Sequence, residues 1–291
     1  MNFGRVLTAM VTPFDHKGNI DYDQTNVLIE HLLNNGTDGL VVAGTTGESP
    51  TLTAEEKISL FRHVVKTVDK RVPVIAGTGG NNTKTSIALT KEAERCDVDA
   101  IMLVTPYYNK PNQRSLYEHF KVIAEETTRP VMLYNIPGRS VVNITAETTI
   151  ALSKIGNIVS IKEASGDLDQ IAEIVERTDD DFSVYSGDDS MTLPILSIGG
   201  TGVVSVASHI VGNEMKQMVN LFYDGKTQQA AQFHRKLLPV MKGLFKAPSP
   251  SPVKAALRIK GMDVGGLRLP LLDLTPEERD ELTVIIENIG K

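Results

Sequence analysis

Cysteine occurs once in the 291 residues, at Cys96, and tryptophan does not occur at all. A lone thiol cannot form an intramolecular disulfide, fits a reducing compartment, and reads as a small apolar residue near a helix end. No apolar run approaches the roughly 20 residues needed to cross a bilayer. Residues 1–14 are broken by Arg5 and Pro13 and lack the apolar centre of a secretory signal. Basic residues are in deficit, 30 Lys and Arg against 36 Asp and Glu for a net charge of -6. With no basic stripe, binding to nucleic acid is not expected. The six histidines, at 16, 31, 63, 119, 209 and 234, are scattered without ligand spacing, so no metal site is expected. These absences leave a cytoplasmic protein that works on small molecules, away from membranes.

With 41% hydrophobic residues, the chain can bury one large core or two ordinary ones. Short β-branched runs recur at 6–11, 39–42, 73–76, 100–104, 131–134, 158–162, 183–186 and 202–206. Helical periodicity occupies 22–34, 54–68, 83–95, 115–126, 146–153, 169–176, 190–197 and 212–223. Strand followed by helix, about eight times over, is the (β/α)₈ TIM-barrel pattern of an α/β protein. An open doubly wound sheet is the rival. It would need fewer repeats and a G-x-G-x-x-G first turn, which Val11-Thr12-Pro13-Phe14 does not supply.

The alternation stops after Asp224. Helices are expected over 228–244, kinked at Pro239, then over 253–260 and 277–289, packed outside the barrel. The Pro-rich segment 247–252 between them is read as a connector. The expected division is a catalytic barrel over 1–225 and a C-terminal helical extension over 226–291. Thr53 and Thr275, each followed by acids, are helix N-caps with no chemistry implied.

Barrel enzymes carry their catalytic groups where strands end. In Ile158-Val159-Ser160-Ile161-Lys162, side chains alternate across the strand. If Val159 and Ile161 face the helices, Lys162 faces the barrel axis. Desolvation there disfavours the ammonium, and a neutral amine is what a Schiff base with a ketone requires. The spacing equally allows a strand-end lysine that reaches solvent. Tyr134 has the same inward register one strand away, as a proton donor or as a plain core aromatic. Gly44-Thr45-Thr46-Gly47-Glu48 can cradle a carboxylate with two hydroxyls and backbone N–H groups, or can be an ordinary turn. Arg139 offers a guanidinium fork to a carboxylate or is a surface arginine. The loop 77–81 is read as a turn.

Taken together, residues 44–48, Tyr107-Tyr108-Asn109, residues 134–139, Ile161-Lys162-Glu163 and Ser186-Gly187-Asp188-Asp189 resemble the dihydrodipicolinate synthase family, end to end. The resemblance implies a lyase of lysine and diaminopimelate biosynthesis, needing no cofactor. Lys162 would form the imine with pyruvate, and Thr45 and Thr46 would hold its carboxylate. Thr46, Tyr134 and the Tyr108 of a neighbouring subunit would relay protons. Arg139 would bind L-aspartate 4-semialdehyde, and carbonyls near Gly187 and Val204 would shape the site. It further implies a homotetramer built as a dimer of dimers. In lysine-inhibited members a histidine and a glutamate hold the inhibitor. Lys57 and Thr85 stand at the matching positions here, beside Ser49, Asn81 and Tyr107, so weak or absent inhibition by L-lysine is expected. The alternatives are an N-acetylneuraminate lyase or keto-deoxy sugar acid aldolase of the same superfamily, and a catalytically silent carboxylate-binding barrel.

Overall fold

The structure, a computed structural model, describes residues 3–289. Eight parallel strands close into a barrel in sequence order, β1 pairing with both β2 and β8. They are β1 (Val6–Ala9), β2 (Gly39–Val42), β3 (Val74–Gly77), β4 (Ala100–Val104), β5 (Val131–Asn135), β6 (Ile158–Glu163), β7 (Ser183–Ser186) and β8 (Gly202–Ser205). Around them stand α1 (Tyr22–Asn34), α2 (Ala54–Val68), α3 (Thr83–Arg95), α4 (Gln113–Ala124), the single turn α5 (Pro137–Ser140), α6 (Ala146–Ser153), α7 (Leu168–Arg177), α8 (Thr192–Ser197) and α9 (Ser208–Tyr223). The barrel expectation holds, and the open sheet is excluded by the β1–β8 pairing. The helices α10 (Thr227–Gly243), α11 (Ser251–Ile259) and α12 (Pro276–Glu287) follow without further strands. Among the described residues no helix is long and apolar enough to cross a membrane.

Local chemistry sets the helix starts. Thr53 and Thr275 each close a reciprocal capping box with the glutamate three residues on. Asp21, Asn82, Asn112, Thr145 and Asp167 accept from first-turn N–H groups of α1, α3, α4, α6 and α7. Each such cap is worth about 1 kcal/mol. The apolar stripe Leu60, Phe61, Val64 and Val68 of α2 is buried against the barrel, which is where most of a helix's stability comes from.

The structure corrects several boundaries. β1 ends at Ala9 because the Val11 N–H donates to His209 Nε2 instead of extending a strand. α4 begins two residues early, at Gln113, because Asn112 caps it. Ser251 and Pro252 are not connector but the first turn of α11, where proline's missing N–H costs nothing. α9 starts at Ser208 and breaks helical geometry at Val211. The peptide bonds Ser249–Pro250 and Leu269–Pro270 are cis.

Candidate active site

The strand ends deliver the two inward groups side by side. Tyr134 of β5 pairs in register with Lys162 of β6, and both are buried. The Lys162 ammonium nitrogen sits 4.1 Å from the centroid of the Tyr134 ring. This settles the alternative left open above: Lys162 does not reach solvent. Gly187 follows β7 directly against it. A Cβ at Gly187 would stand 3.2 Å from Lys162 Cε and 2.8 Å from the Ala164 Cβ, so only glycine leaves the lysine stem its space. Val204 lies buried on β8, paired with Leu7.

The outward neighbours of the pair form a second rung. Asn135 pairs with Glu163, and both are fully buried. The Glu163 carboxylate accepts from Asn135 Nδ2 at 3.1 and 3.0 Å, from the Ser165 N–H at 2.7 Å and from Gln170 Nε2 at 3.2 Å. Burial pushes its carboxyl up from the usual carboxylate range, against those three donors. The rung fixes the ends of β5 and β6, and so the spacing of Tyr134 and Lys162. The sequence signal for it is an acid and an amide on the outward face of otherwise apolar strands.

The loop after β2 carries Thr45, half-buried, and Thr46, buried. It turns back on itself through Glu48 N–H to Thr45 O at 3.1 Å and Ser49 N–H to Gly44 O at 3.2 Å. Ala43 and Glu48 both hold positive φ, 52° and 57°, and non-glycine residues in that region concentrate at functional loops. Thr12 Oγ1 donates to Gly47 O at 2.7 Å and ties the loop to the segment that follows β1.

A cavity of about 440 Å³ opens beside these groups. Thr45, Tyr134 and Arg139 line it. So do Ser49, Lys57, Asn81, Thr85 and Tyr107, the residues expected to form a separate regulatory pocket. Within the single chain, residues of both expected sets line this one cavity. The loop 77–81, read as a turn, also contributes to its wall, with Asn81 Nδ2 donating to Tyr107 O at 3.2 Å. Lys162, Thr46, Gly187 and Val204 are absent from the lining; Lys162 Nζ stands over the face of the Tyr134 ring, which does line it. Arg139 is held at the rim by the turn α5, with Arg139 N–H and Ser140 N–H both donating to Ile136 O at 3.0 Å.

Two cations and no carboxylate line this cavity. Burial lowers the Lys57 ammonium from its ordinary value. Tyr108 is 89% exposed and holds φ 74°, so it takes no part in its own chain's cavity. Among the described residues no cluster of His, Cys, Asp and Glu is arranged to hold a metal ion.

The family model described as the dihydrodipicolinate synthetase family matches residues 2–289. The 4-hydroxy-tetrahydrodipicolinate synthase of Bacillus subtilis (strain 168) is 63% identical over 290 residues, 99% of this chain and 100% of the relative. The crystal structure of a dihydrodipicolinate synthase from Bacillus anthracis superposes with a TM-score of 0.99 at 58% identity, covering 100% of both chains. The corresponding structure from Cyanidioschyzon merolae with lysine bound matches with a TM-score of 0.97 at 47% identity, over 99% of this chain and 98% of that one.

Proposed function

The chain belongs to the dihydrodipicolinate synthetase family, and from that premise we propose that it is a Schiff-base lyase condensing pyruvate with L-aspartate 4-semialdehyde on the route to diaminopimelate and lysine. The observation that carries the reading is the buried Lys162–Tyr134 pair, 4.1 Å from nitrogen to ring centroid, on adjacent strand ends of a barrel. A lysine there is buried at the strand ends beside a phenol, where a nucleophilic amine and a proton-transfer group are held together.

The Lys162 amine adds to the pyruvate ketone, and loss of water gives the imine. Its positive charge lets a proton leave the methyl carbon, and the resulting enamine forms a carbon–carbon bond with the aldehyde carbon. The amine of the second substrate then displaces Lys162, which closes the ring and frees the enzyme. Thr45 and Thr46 hold the pyruvate carboxylate. Tyr134, Thr46 and the Tyr108 of a neighbouring subunit move the protons, in a homotetramer built as a dimer of dimers. The 89% exposure of Tyr108 suits a side chain offered to a partner. Arg139 at the rim suits a short aldehyde that carries a carboxylate better than a polyhydroxylated sugar chain. Gly187 and Val204 supply backbone carbonyls at the floor. The barrel over 1–225 is the catalytic unit, with 226–291 as its helical extension, in a cytoplasmic setting consistent with one unpaired cysteine.

Borohydride reduction in the presence of pyruvate, followed by peptide mass spectrometry, tests the reading. A pyruvate adduct on Lys162 is expected, and Lys162→Ala should lose the adduct and turnover while melting as a folded protein. A folded parent that acquires no adduct, or one elsewhere, removes the mechanism.

A further inference from the structure

Lys254 is a cation inside an apolar stretch of α11, flanked by the buried residues Val253, Ala255, Ala256 and Leu257 and itself 0% exposed. Its Nζ lies 2.7 Å from Glu48 Oε1, donates to Gly266 O at 2.7 Å and stands 4.3 Å from the centroid of the Phe14 ring. The two groups form an ion pair whose charged ends are both buried. The other Glu48 oxygen accepts from the Arg268 N–H at 3.0 Å. Arg268 also donates to Thr51 O at 2.8 Å and to Gly18 O at 2.9 Å, and pairs with Glu56 at 2.5 Å. The C-terminal extension thus grips both ends of the segment that runs from the β2 loop into α2.

A buried ion pair is a poor source of net stability, because desolvation of both charges offsets their attraction. What it does supply is geometry: each charge has one place where it is compensated. Here that place is set on a residue with left-handed backbone, φ 57°, a conformation that persists only when the surroundings over-determine it. Thr46 precedes Glu48 by two residues and Thr45 by three, within one closed turn. We propose that Glu48 and Lys254 are positioning residues for pyruvate, the C-terminal extension setting the backbone of the loop that receives the substrate carboxylate. This rests on the Schiff-base reading above.

The test uses the full-length protein with Glu48→Gln, with Lys254→Met, and with both together. Lys254→Met alone strands a buried carboxylate and Glu48→Gln alone a buried ammonium, so either single variant can fail to fold. The double variant removes both charges at nearly constant shape, and Glu48→Gln alone keeps the bond from the Arg268 N–H. For each folded variant, the melting temperature, the pyruvate concentration that half-saturates borohydride trapping at Lys162, and the KM for each substrate are measured. A displaced carboxylate loop raises half-saturating pyruvate about ten-fold or more, since displacements near 1 Å have effects of that size or larger. The KM for the aldehyde stays at the parental value. A pair with a structural role alone would change the melting temperature and leave the pyruvate dependence unmoved, and a folded double or Glu48→Gln variant that traps at parental pyruvate overturns the proposal. A parent that gives no adduct on Lys162 overturns the catalytic reading itself, and this proposal with it.

Discussion

Lys57 shows how one side chain can decide what a cavity accepts. It is half-buried, its ammonium is lowered from the ordinary value by desolvation, and it shares the cavity with Arg139 and no acid. An amino acid with a side-chain ammonium would enter beside two cations without a carboxylate in this chain to compensate it. Like-charge juxtaposition at close range costs up to several kcal/mol, which is enough to abolish useful affinity. L-lysine is therefore expected to inhibit weakly or not at all, although a relative from Cyanidioschyzon merolae has been crystallised with lysine bound. Steady-state turnover measured with lysine added decides this, and clear inhibition below millimolar concentration would contradict it. Lys57 and Thr85 were visible in the sequence as departures from the pattern of inhibited relatives. Their place in one opening with Thr45 and Tyr134 was not, because loops after β2, β3, β4 and β5 all contribute to its wall.

At the scale of elements, the ends of β5 and β6 work as a double rung. The inner rung is Tyr134 with Lys162, and the outer is Asn135 with Glu163. Strand alternation made the inner rung legible, since two polar residues at matching inward positions stand out in apolar runs. The outer rung stands in the sequence only as single residues of two motifs, Asn135 within 134–139 and Glu163 after Lys162. Its partners Asn143 and Gln170 come from a loop and from α7, and nothing local in sequence brings them together. Boundaries failed for a similar reason: β1 stops early because His209, 198 residues away, takes the Val11 N–H. The outer rung yields a prediction of its own. Asn135→Asp keeps the acceptor used by the Ile144 N–H but turns the donor facing Glu163 into a second buried carboxylate. Stability at pH 7 should fall by roughly 3 kcal/mol or more, the scale for an uncompensated buried charge. The two acids then share a proton, which raises the folded-state pKa further, so the deficit should narrow as pH falls. Urea unfolding of parent and variant at pH 7 and pH 5.5 checks both signs; a deficit that widens toward acid refutes the shared-proton picture.

The whole molecule is closed at the seam between β8 and β1, and a fully buried histidine bridges it. His209 Nε2 accepts the Val11 N–H at 3.2 Å, and its Nδ1 donates to Val206 O at 2.8 Å. Those partners admit only the neutral ring, since a proton on Nε2 would face the Val11 donor. Burial accordingly lowers its pKa to about 4 from 6.5. Above pH 6.5 neither the folded nor the unfolded chain is protonated at this residue, and its contribution to stability is fully present. Between pH 6.5 and about 4 the unfolded chain takes up a proton that the folded one refuses, so that contribution is progressively lost. Buried His119, also lowered to about 4, acts in the same direction. The buried acids Glu163 and Asp189, both raised by desolvation, act in the opposite one, because they lose an unfavourable charge as pH falls. Comparing the parent with His209→Gln cancels those shared terms. The variant is less stable at neutral pH, having lost the bridge, but its stability should fall less steeply toward acid. Linkage puts the change in the parent–variant difference between pH 7 and pH 5 at about 2 kcal/mol, readable by urea unfolding at the two pH values. A difference that stays constant would mean that His209 titrates alike in both states and that the seam does not depend on a neutral ring.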